Sequence, residues 1–212
     1  MPSKTTDRPV RRRVDKRQAI LDAAAEVFGT QGYERASIDA VAAVANVSKP
    51  TIYSHFGTKE QLFRVSIGES AAQLNTDSMA AIVALDVSAE HWREGLHHLA
   101  IALVECQRSP CARSLQRQVH AEITRDPDVF ESVRVRATEP IVEALTGRLA
   151  MLGNAGFLRL PDPRLAARQF LALIAAEMPE RTRLGTRELD DDELAAAAGA
   201  GVDTFLRAFA AS

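Results

Sequence analysis

The polar side chains between Ser48 and Lys59 are of types that bind phosphates and nucleic-acid bases. A helix that begins near Ser48 would bury Ile52 and leave donors, acceptors and flat rings on its other faces: Lys49, Thr51, Tyr53, Ser54 and His55. Such groups form hydrogen bonds with phosphate oxygens and base edges. Thr58 opens the sequence T-K-E-Q, whose glutamine at the third helical position predicts a capped helix start. The N–H groups of such a start attract phosphates.

Other side chains that could do chemistry lie further along the chain. They are His91, His97, His98, His120, Cys106 and Cys111. Three of the histidines fall on one predicted helix, but no Asp or Cys stands at ligand spacing on the same face. Neither a glycine-rich phosphate loop nor a G-x-S-x-G nucleophile motif occurs. The sequence therefore predicts no catalytic residue, no metal and no cofactor, and an all-helical enzyme is the less favoured alternative.

The charge is divided unevenly along the chain. The formal net charge is −2, but residues 1–66 carry 11 basic and 7 acidic side chains, whereas residues 67–212 carry 15 basic and 21 acidic ones. A basic first third on an acidic remainder indicates that the first third meets a polyanion. Charge alone leaves DNA, RNA and an acidic membrane surface as alternatives.

The composition is that of a soluble globular protein. Of the 212 residues, 46% are hydrophobic and 25% are charged, which argues against a disordered chain. The longest apolar runs have seven residues, far fewer than the roughly 18 that a membrane helix needs. The first 18 residues are basic and polar, unlike a secretory signal, and two cysteines fit a reducing compartment. We therefore expect a cytoplasmic protein.

The elements that must position these side chains are predicted to be helices throughout. Alanine and leucine dominate, and stretches with a period of two are scarce. Cap residues followed by Pro or by a Gln at the third position mark several starts. The helices are predicted near residues 15–30, 37–44, 48–54, 58–84, 89–108, 110–124, 127–152, 162–178 and 190–210.

Two of these helices form a helix-turn-helix pattern. Ile38, Val41 and Ala42 give the helix at 37–44 an apolar face, and Val47 and Ile52 provide anchors around the turn. Asn46 tolerates the left-handed conformation that a tight connection after a helix often needs. In a helix-turn-helix the second helix lies in the major groove, so DNA becomes the favoured polyanion.

The segment from 15 to 64 resembles, without a gap, the DNA-binding region of the tetracycline-repressor (TetR) family of bacterial transcription regulators. The matching residues are Ala24, Phe28, Gly32-Tyr33, Ser37-Ile38, Val41-Ala42, Val47-Ser48-Lys49, Thr51-Ile52-Tyr53, His55-Phe56, Lys59-Glu60 and Leu62-Phe63. The rest of the chain is similar to the ligand-binding body of that family in helix count and order. Many members have Gly where this chain has Pro50, and some carry a basic residue where it has Asp39.

The resemblance implies a role for each matching polar residue. Lys49, Pro50, Thr51 and Tyr53 would face the major groove, with Thr51 and Lys49 reading bases. Tyr53, His55 and Lys59 would hold phosphates, and Thr58 would cap a helix aimed at the backbone. Together with two hydroxyls on the same helix, the predicted DNA contacts are Ser48, Lys49, Pro50, Thr51, Tyr53, Ser54, His55, Thr58 and Lys59.

The predicted organisation is a flexible basic arm over 1–14, a three-helix DNA-binding domain over 15–66, and a larger helical domain over 67–212 for effector binding and dimerisation. Two helices of the last domain carry apolar residues at three-four spacing, which fits either a filled core or a cavity that binds a small apolar ligand. The candidate cavity residues are Trp92, Leu96, Leu99, Leu103, Phe130, Val133, Ala137 and Ile141.

The last two long helices are apolar on wide faces. Helices of this kind must be buried, and a two-fold four-helix contact between two copies is one solution, which the resemblance also implies. The predicted dimer-interface residues are Leu165, Phe170, Ile174, Leu194, Ala198, Val202, Phe205 and Phe209.

These observations predict an all-α homodimer that binds a palindromic DNA operator and regulates transcription, most simply as a repressor released by a small apolar molecule. A ligand-independent DNA-binding regulator and an activator are the alternatives. The identity of the ligand and of the operator is not encoded in any residue pattern.

Overall fold

A computed structural model of the chain describes residues 8–183 and 186–211, and it confirms the all-α fold. Within these ranges no β-strand occurs, and one isolated bridge joins Leu158 and Ala210. The helices are α1 (Arg8–Gln31), α2 (Ile38–Val44), α3 (Lys49–Phe56), α4 (Lys59–Gln73), α5 (Thr76–Ala84), α6 (Trp92–Glu105), α7 (Pro110–Glu122), α8 (Asp128–Val133), α9 (Glu139–Asn154), α10 (Pro163–Ala175), α11 (Met178–Arg181) and α12 (Asp191–Phe209). Within the described ranges every helix is too short or too polar to span a bilayer.

Polar side chains cap the helices at several starts. Ser37 and Ser48 accept hydrogen bonds from backbone N–H groups at the starts of α2 and α3. Asp162 caps α10, and Asp190 forms a reciprocal capping box with Glu193 at α12. Capping satisfies N–H groups that have no partner inside the helix, so local sequence is enough to set these boundaries.

The first helix begins earlier than expected. Helix α1 starts at Arg8 and not at Asp15, so it includes residues 8–14, which were assigned to a flexible arm. Arginine and valine dominate this stretch, and Pro9 lies in the first turn, where proline is tolerated. Residues 1–7 of the predicted arm lie outside the described residues.

Two predicted long helices are interrupted. The stretch 58–84 divides into α4 and α5 at Leu74 and Asn75, and the side-chain amide of Asn75 donates to the carbonyl of Ala137 at 2.8 Å. The stretch 127–152 divides at a π-helical turn, Arg134–Thr138. The hydrogen bond from Asn75 to Ala137 links the two interruptions, because Ala137 lies in the π-helical turn. The periodicity of the sequence within each helix does not predict a contact between residues so far apart.

The chain divides into two compact units. The N-terminal unit comprises the residues up to Ala71 together with Ser114–Arg134, and the body unit comprises Ala72–Arg113 and the residues from Val135 onward. The N-terminal unit therefore includes a segment from the middle of the chain, whereas the sequence analysis put the whole of 67–212 in one domain. The hydrophobic core of this unit contains Phe28, Ile52 and Phe63, and also Val129 from the later segment.

The core of the body unit corrects the predicted dimer interface. Six of the eight predicted interface residues are buried within a single chain: Phe170, Ile174, Leu194, Ala198, Val202 and Phe205. They pack where α10 meets α9 and α12, and where α12 meets α6. The apolar faces of the last two long helices are therefore covered by their own chain. Of the eight, Leu165 is 51% exposed and Phe209 is partly buried.

The predicted cavity residues divide between the two units. Trp92, Leu96, Leu99, Leu103 and Ile141 belong to the core of the body unit, and Ala137 is also buried. Trp92 stacks on Phe157 with ring centroids 5.5 Å apart. Phe130 is 53% exposed, and Val133 packs on the core of the N-terminal unit. The prediction that Phe130 and Ile141 lie on one apolar face of a single helix is wrong, because the π-helical turn Arg134–Thr138 interrupts that helix.

Candidate DNA interface

Helices α2 and α3 form the predicted helix-turn-helix. The connection between them contains Asn46 in the left-handed conformation, with φ = 51°, as its residue type indicated. Ile52 and Phe56 fix one face of α3 in the core, at a spacing of four residues, or about one helical turn. The opposite face of α3 is consequently turned away from the core and is available to a partner.

The predicted DNA-contacting residues all lie on this helix-turn-helix or at the start of α4. Six are exposed: Ser48, Lys49, Pro50, Tyr53, Ser54 and Thr58. Thr51, His55 and Lys59 are partly buried. Tyr53 is 43% exposed, which places a large aromatic side chain with a polar hydroxyl at the surface.

Hydrogen bonds fix the hydroxyl groups at the start of α3. The hydroxyl oxygens of Ser48 and Thr51 are 2.8 Å apart, and the Ser48 hydroxyl also accepts from the backbone N–H of Thr51. The Ser54 hydroxyl donates to the carbonyl of Thr51 at 2.8 Å. Pro50 is at the second helical position, so it removes an N–H that could otherwise face a phosphate.

Lys49, a predicted base reader, is paired with an acid in the free protein. Its ammonium nitrogen lies 3.0 Å from Oδ2 of Asp39 on α2, and both side chains are well exposed. The hydrogen bond and the charge of Asp39 raise the pKa of Lys49 above its ordinary value. Contact between Lys49 and DNA therefore competes with an intramolecular ion pair.

Replacing Asp39 with asparagine is expected to strengthen DNA binding. The change frees Lys49 and removes a negative charge next to the interface, so affinity at low salt should rise about threefold to tenfold and the salt slope should steepen by about one. Fluorescence anisotropy with labelled duplexes over a salt series measures both quantities. Asp22→Asn is the matched control, because Asp22 is an exposed acid on α1 whose carboxylate accepts from Gln18. Equal effects of the two changes would argue against a contact between Lys49 and DNA.

The start of α4 is built around Tyr33. The Thr58 hydroxyl accepts from the N–H of Gln61 at 3.1 Å, so Thr58 caps this helix as predicted. The Lys59 ammonium lies 4.3 Å from the centroid of the Tyr33 ring, and the Tyr33 hydroxyl donates to Glu60 at 2.9 Å. Burial, followed by this hydrogen bond, raises the pKa of Tyr33. Hydrogen bonds from its own N–H, from Tyr33 and from Thr58 lower the pKa of Glu60.

One part of this unit was missed by the sequence analysis. The carboxylate of Asp126, the residue before Pro127, accepts two hydrogen bonds of 2.7 and 2.8 Å from Arg64 of α4. The neighbouring Arg125 places its guanidinium 3.9 Å from the centroid of the Tyr33 ring. These partners are 62 and 92 residues apart in the chain, and no local motif links residues at such distances.

The body unit contains an open groove between α5 and α6. It has a volume of about 520 Å³, with an apolar floor and two His–carboxylate pairs at its rim, His91 with Asp86 and His98 with Glu94. Its lining is Ala81, Ala84, Leu85, Asp86, His91, Glu94, Gly95, His98, Leu99 and Ala102. Of the predicted cavity residues, Leu99 lies in this groove. Among the residues that the structure describes, no three His, Cys, Asp or Glu side chains are grouped to hold a metal ion.

An exposed reading helix on a compact helical unit, joined to a larger all-helical unit, defines a helix-turn-helix DNA-binding protein. The profile of bacterial regulatory proteins of the tetR family matches residues 20–65, and that of the C-terminal domain of AefR-like transcriptional repressors matches residues 94–211. The chain belongs to the TetR family of DNA-binding transcription regulators.

Individual proteins agree with this assignment. A structure from Mesorhizobium loti, described as a TetR-family transcriptional regulator, superposes with a TM-score of 0.82 at 27% identity and covers 94% of this chain and 99% of its own. The flavonoid-responsive regulator FrrA gives a TM-score of 0.75 at 28% identity, covering 92% and 97%. The transcriptional repressor AcnR of Corynebacterium efficiens is 28% identical over 75% of this chain and 75% of its own length.

Proposed function

We propose that this protein is a repressor without catalytic activity, which binds a palindromic operator as a homodimer in the cytoplasm and leaves it when a small molecule binds. The observation that carries the DNA-binding part is the exposure of Lys49, Tyr53 and Ser54 on α3, while Ile52 and Phe56 of the same helix are buried in the core. The descriptions of the AefR-like profile and of AcnR support repression.

A footprint on a selected duplex tests the operator. Two copies related by a two-fold axis should protect an inverted repeat whose half-site centres are about 34–36 Å apart, or a small multiple of that distance. Duplexes selected in vitro from a random pool provide the DNA, and nuclease protection shows the symmetry. Protection of a single half-site without a dyad would contradict the homodimer on a palindrome.

The dimer interface is proposed for the outer faces of α10 and α12, since their inner faces fill the core of one chain. These outer faces carry exposed apolar or small residues: Leu165 and Ala172 on α10, Ala176 directly after α10, and Ala196 and Ala200 on α12. Small residues allow two helices to approach closely, and exposed leucine and alanine at helical spacing favour contact with another copy.

The effector is proposed to have an aromatic or apolar body with a few hydrogen-bonding groups. The groove between α5 and α6 has a volume within the usual range for small-molecule sites, and its apolar floor and His–carboxylate rim match such a ligand. The flavonoid-responsive character of FrrA supports the same class, because flavonoids are aromatic rings with hydroxyl groups.

Linked binding measurements test this effector. A ligand that favours the DNA-free state lowers operator affinity, and the operator lowers ligand affinity by the same factor. A panel of flavonoids is titrated against the protein with and without the selected duplex. Ala102→Phe, which narrows the groove, should weaken ligand binding and leave operator binding intact. Ligand binding that leaves operator affinity unchanged would contradict release by that ligand.

A further inference from the structure

The segment Ser114–Arg134 completes the N-terminal unit. Val129 is fully buried in the core of that unit, and Leu115, Val119 and Val133 pack against the same core from the side. The helices α1 to α4 therefore do not close their core by themselves. The turn between α7 and α8 brings Asp126 to Arg64 of α4 and Arg125 to the ring of Tyr33.

The contact between Asp126 and Arg64 is directional. The two carboxylate oxygens of Asp126 each accept one hydrogen bond from the guanidinium, and this paired geometry sets both the distance and the angle of the contact. The side chain of Asp126 is only 8% exposed, so water competes poorly for it. Arg64 has a second partner, Asp128, at 2.9 Å, but the side chain of Asp128 is 68% exposed.

The contact acts on the helix that carries two predicted phosphate-binding groups. Arg64 lies on α4 five residues after Lys59, or about 7.5 Å along the axis, and α4 is capped by Thr58. Arg125 is linked to the start of α4 indirectly, because its guanidinium packs on the ring of Tyr33 and the ammonium of Lys59 packs on the same ring. An orientation imposed on Arg64 is passed to Lys59 and Thr58, because a helix moves as a rigid body.

We propose that Asp126 is a positioning residue for operator binding, which acts through Arg64 to hold the start of α4 at a fixed position and angle relative to α3. Asp126 itself contacts no DNA in this scheme. The inference rests on the proposed contacts of α3 and α4 with the operator. Specific binding requires correct positions of base-reading and phosphate-binding groups together, whereas non-specific binding requires only positive charge near phosphates.

The experiment compares Asp126→Asn with Asp128→Asn in the full-length protein. Both changes remove one negative charge from a partner of Arg64, but only the first breaks the buried pair. Anisotropy is measured at low temperature on an operator selected in vitro and on a scrambled duplex of equal length. Asp126→Asn should lower operator affinity about tenfold or more while leaving the affinity for scrambled DNA and its salt slope unchanged. Asp128→Asn should stay within about twofold on both duplexes.

Arg64→Lys is the second variant, because it keeps the positive charge but lacks the paired geometry of the guanidinium. It should lose affinity for the operator but not for scrambled DNA. Combining it with Asp126→Asn should lower operator affinity little further, since both changes remove the same interaction. If affinity for operator and for scrambled DNA fell equally, and the fraction of folded protein fell with them, Asp126 would have only a structural role and the inference would be overturned. Unchanged operator affinity of folded Asp126→Asn would overturn it as well. A wild-type protein that does not distinguish operator from scrambled DNA would overturn the proposed function first, and the inference with it.

Discussion

Replacing Gly201 with alanine is expected to destabilise the body unit by about 3 kcal/mol or more. A Cβ atom at this position would lie 2.6 Å from the carbonyl oxygen of Leu173 and 2.7 Å from Cα and N of Ile174. These are backbone atoms of α10, so no side chain can rotate away, and α12 must move from the helix on which it packs. The shift in the midpoint of thermal unfolding should be roughly 6–12 °C for a chain of this size.

Trp92 provides the measurement. It is the single tryptophan of the chain and is buried in the body unit, so its fluorescence during heating follows that unit. Gly199→Ala, two residues earlier on the same helix, is the matched control. A Cβ there would meet only the His97 ring, at an ordinary distance of 3.9 Å, and alanine favours the helix by up to about 1 kcal/mol. Equal melting curves for the two variants would contradict the close contact of α10 and α12.

The helix-turn-helix could be predicted from the sequence because its determinants are local. Ser37 and Ser48 cap their helices, Asn46 takes the left-handed conformation, and Ile52 and Phe56 turn inward. Each of these features depends on residues within about four positions along the chain. The placement of the predicted DNA contacts on one accessible region follows from the same short-range pattern.

The body could be predicted less completely because its determinants are distant in the sequence. Periodicity indicates which face of α12 is apolar, but it does not tell whether α6 and α10 of the same chain or a second copy covers that face. Likewise, the break before α5 depends on a hydrogen bond between Asn75 and Ala137, and the position of Ser114–Arg134 in the N-terminal unit depends on contacts such as that of Asp126 with Arg64.

Replacing Phe205 with glutamate is expected to unfold the body unit and not merely to separate two copies. The Phe205 side chain is fully buried, with the rings of Phe170 and Phe209 at centroid distances of 5.1 and 4.8 Å. Loss of a buried phenylalanine alone costs about 3–5 kcal/mol, and an unpaired buried carboxylate adds to that. The total is comparable with the whole stability of a typical domain, about 5–15 kcal/mol. Loss of the native Trp92 emission and aggregation are the expected results, and a folded variant would contradict the burial.

Leu165→Glu separates assembly from folding. Leu165 is on α10 as Phe170 is, but it is 51% exposed, so a carboxylate there remains hydrated in a single chain and folding should be nearly unchanged. If the outer face of α10 joins two copies, the same carboxylate is placed between them, and sedimentation should show folded monomers. Operator affinity should then fall steeply, because two half-sites on one dimer bind together whereas two monomers bind independently. A folded Leu165→Glu dimer with full operator affinity would exclude this part of α10 from the interface and leave the outer face of α12 as the remaining candidate.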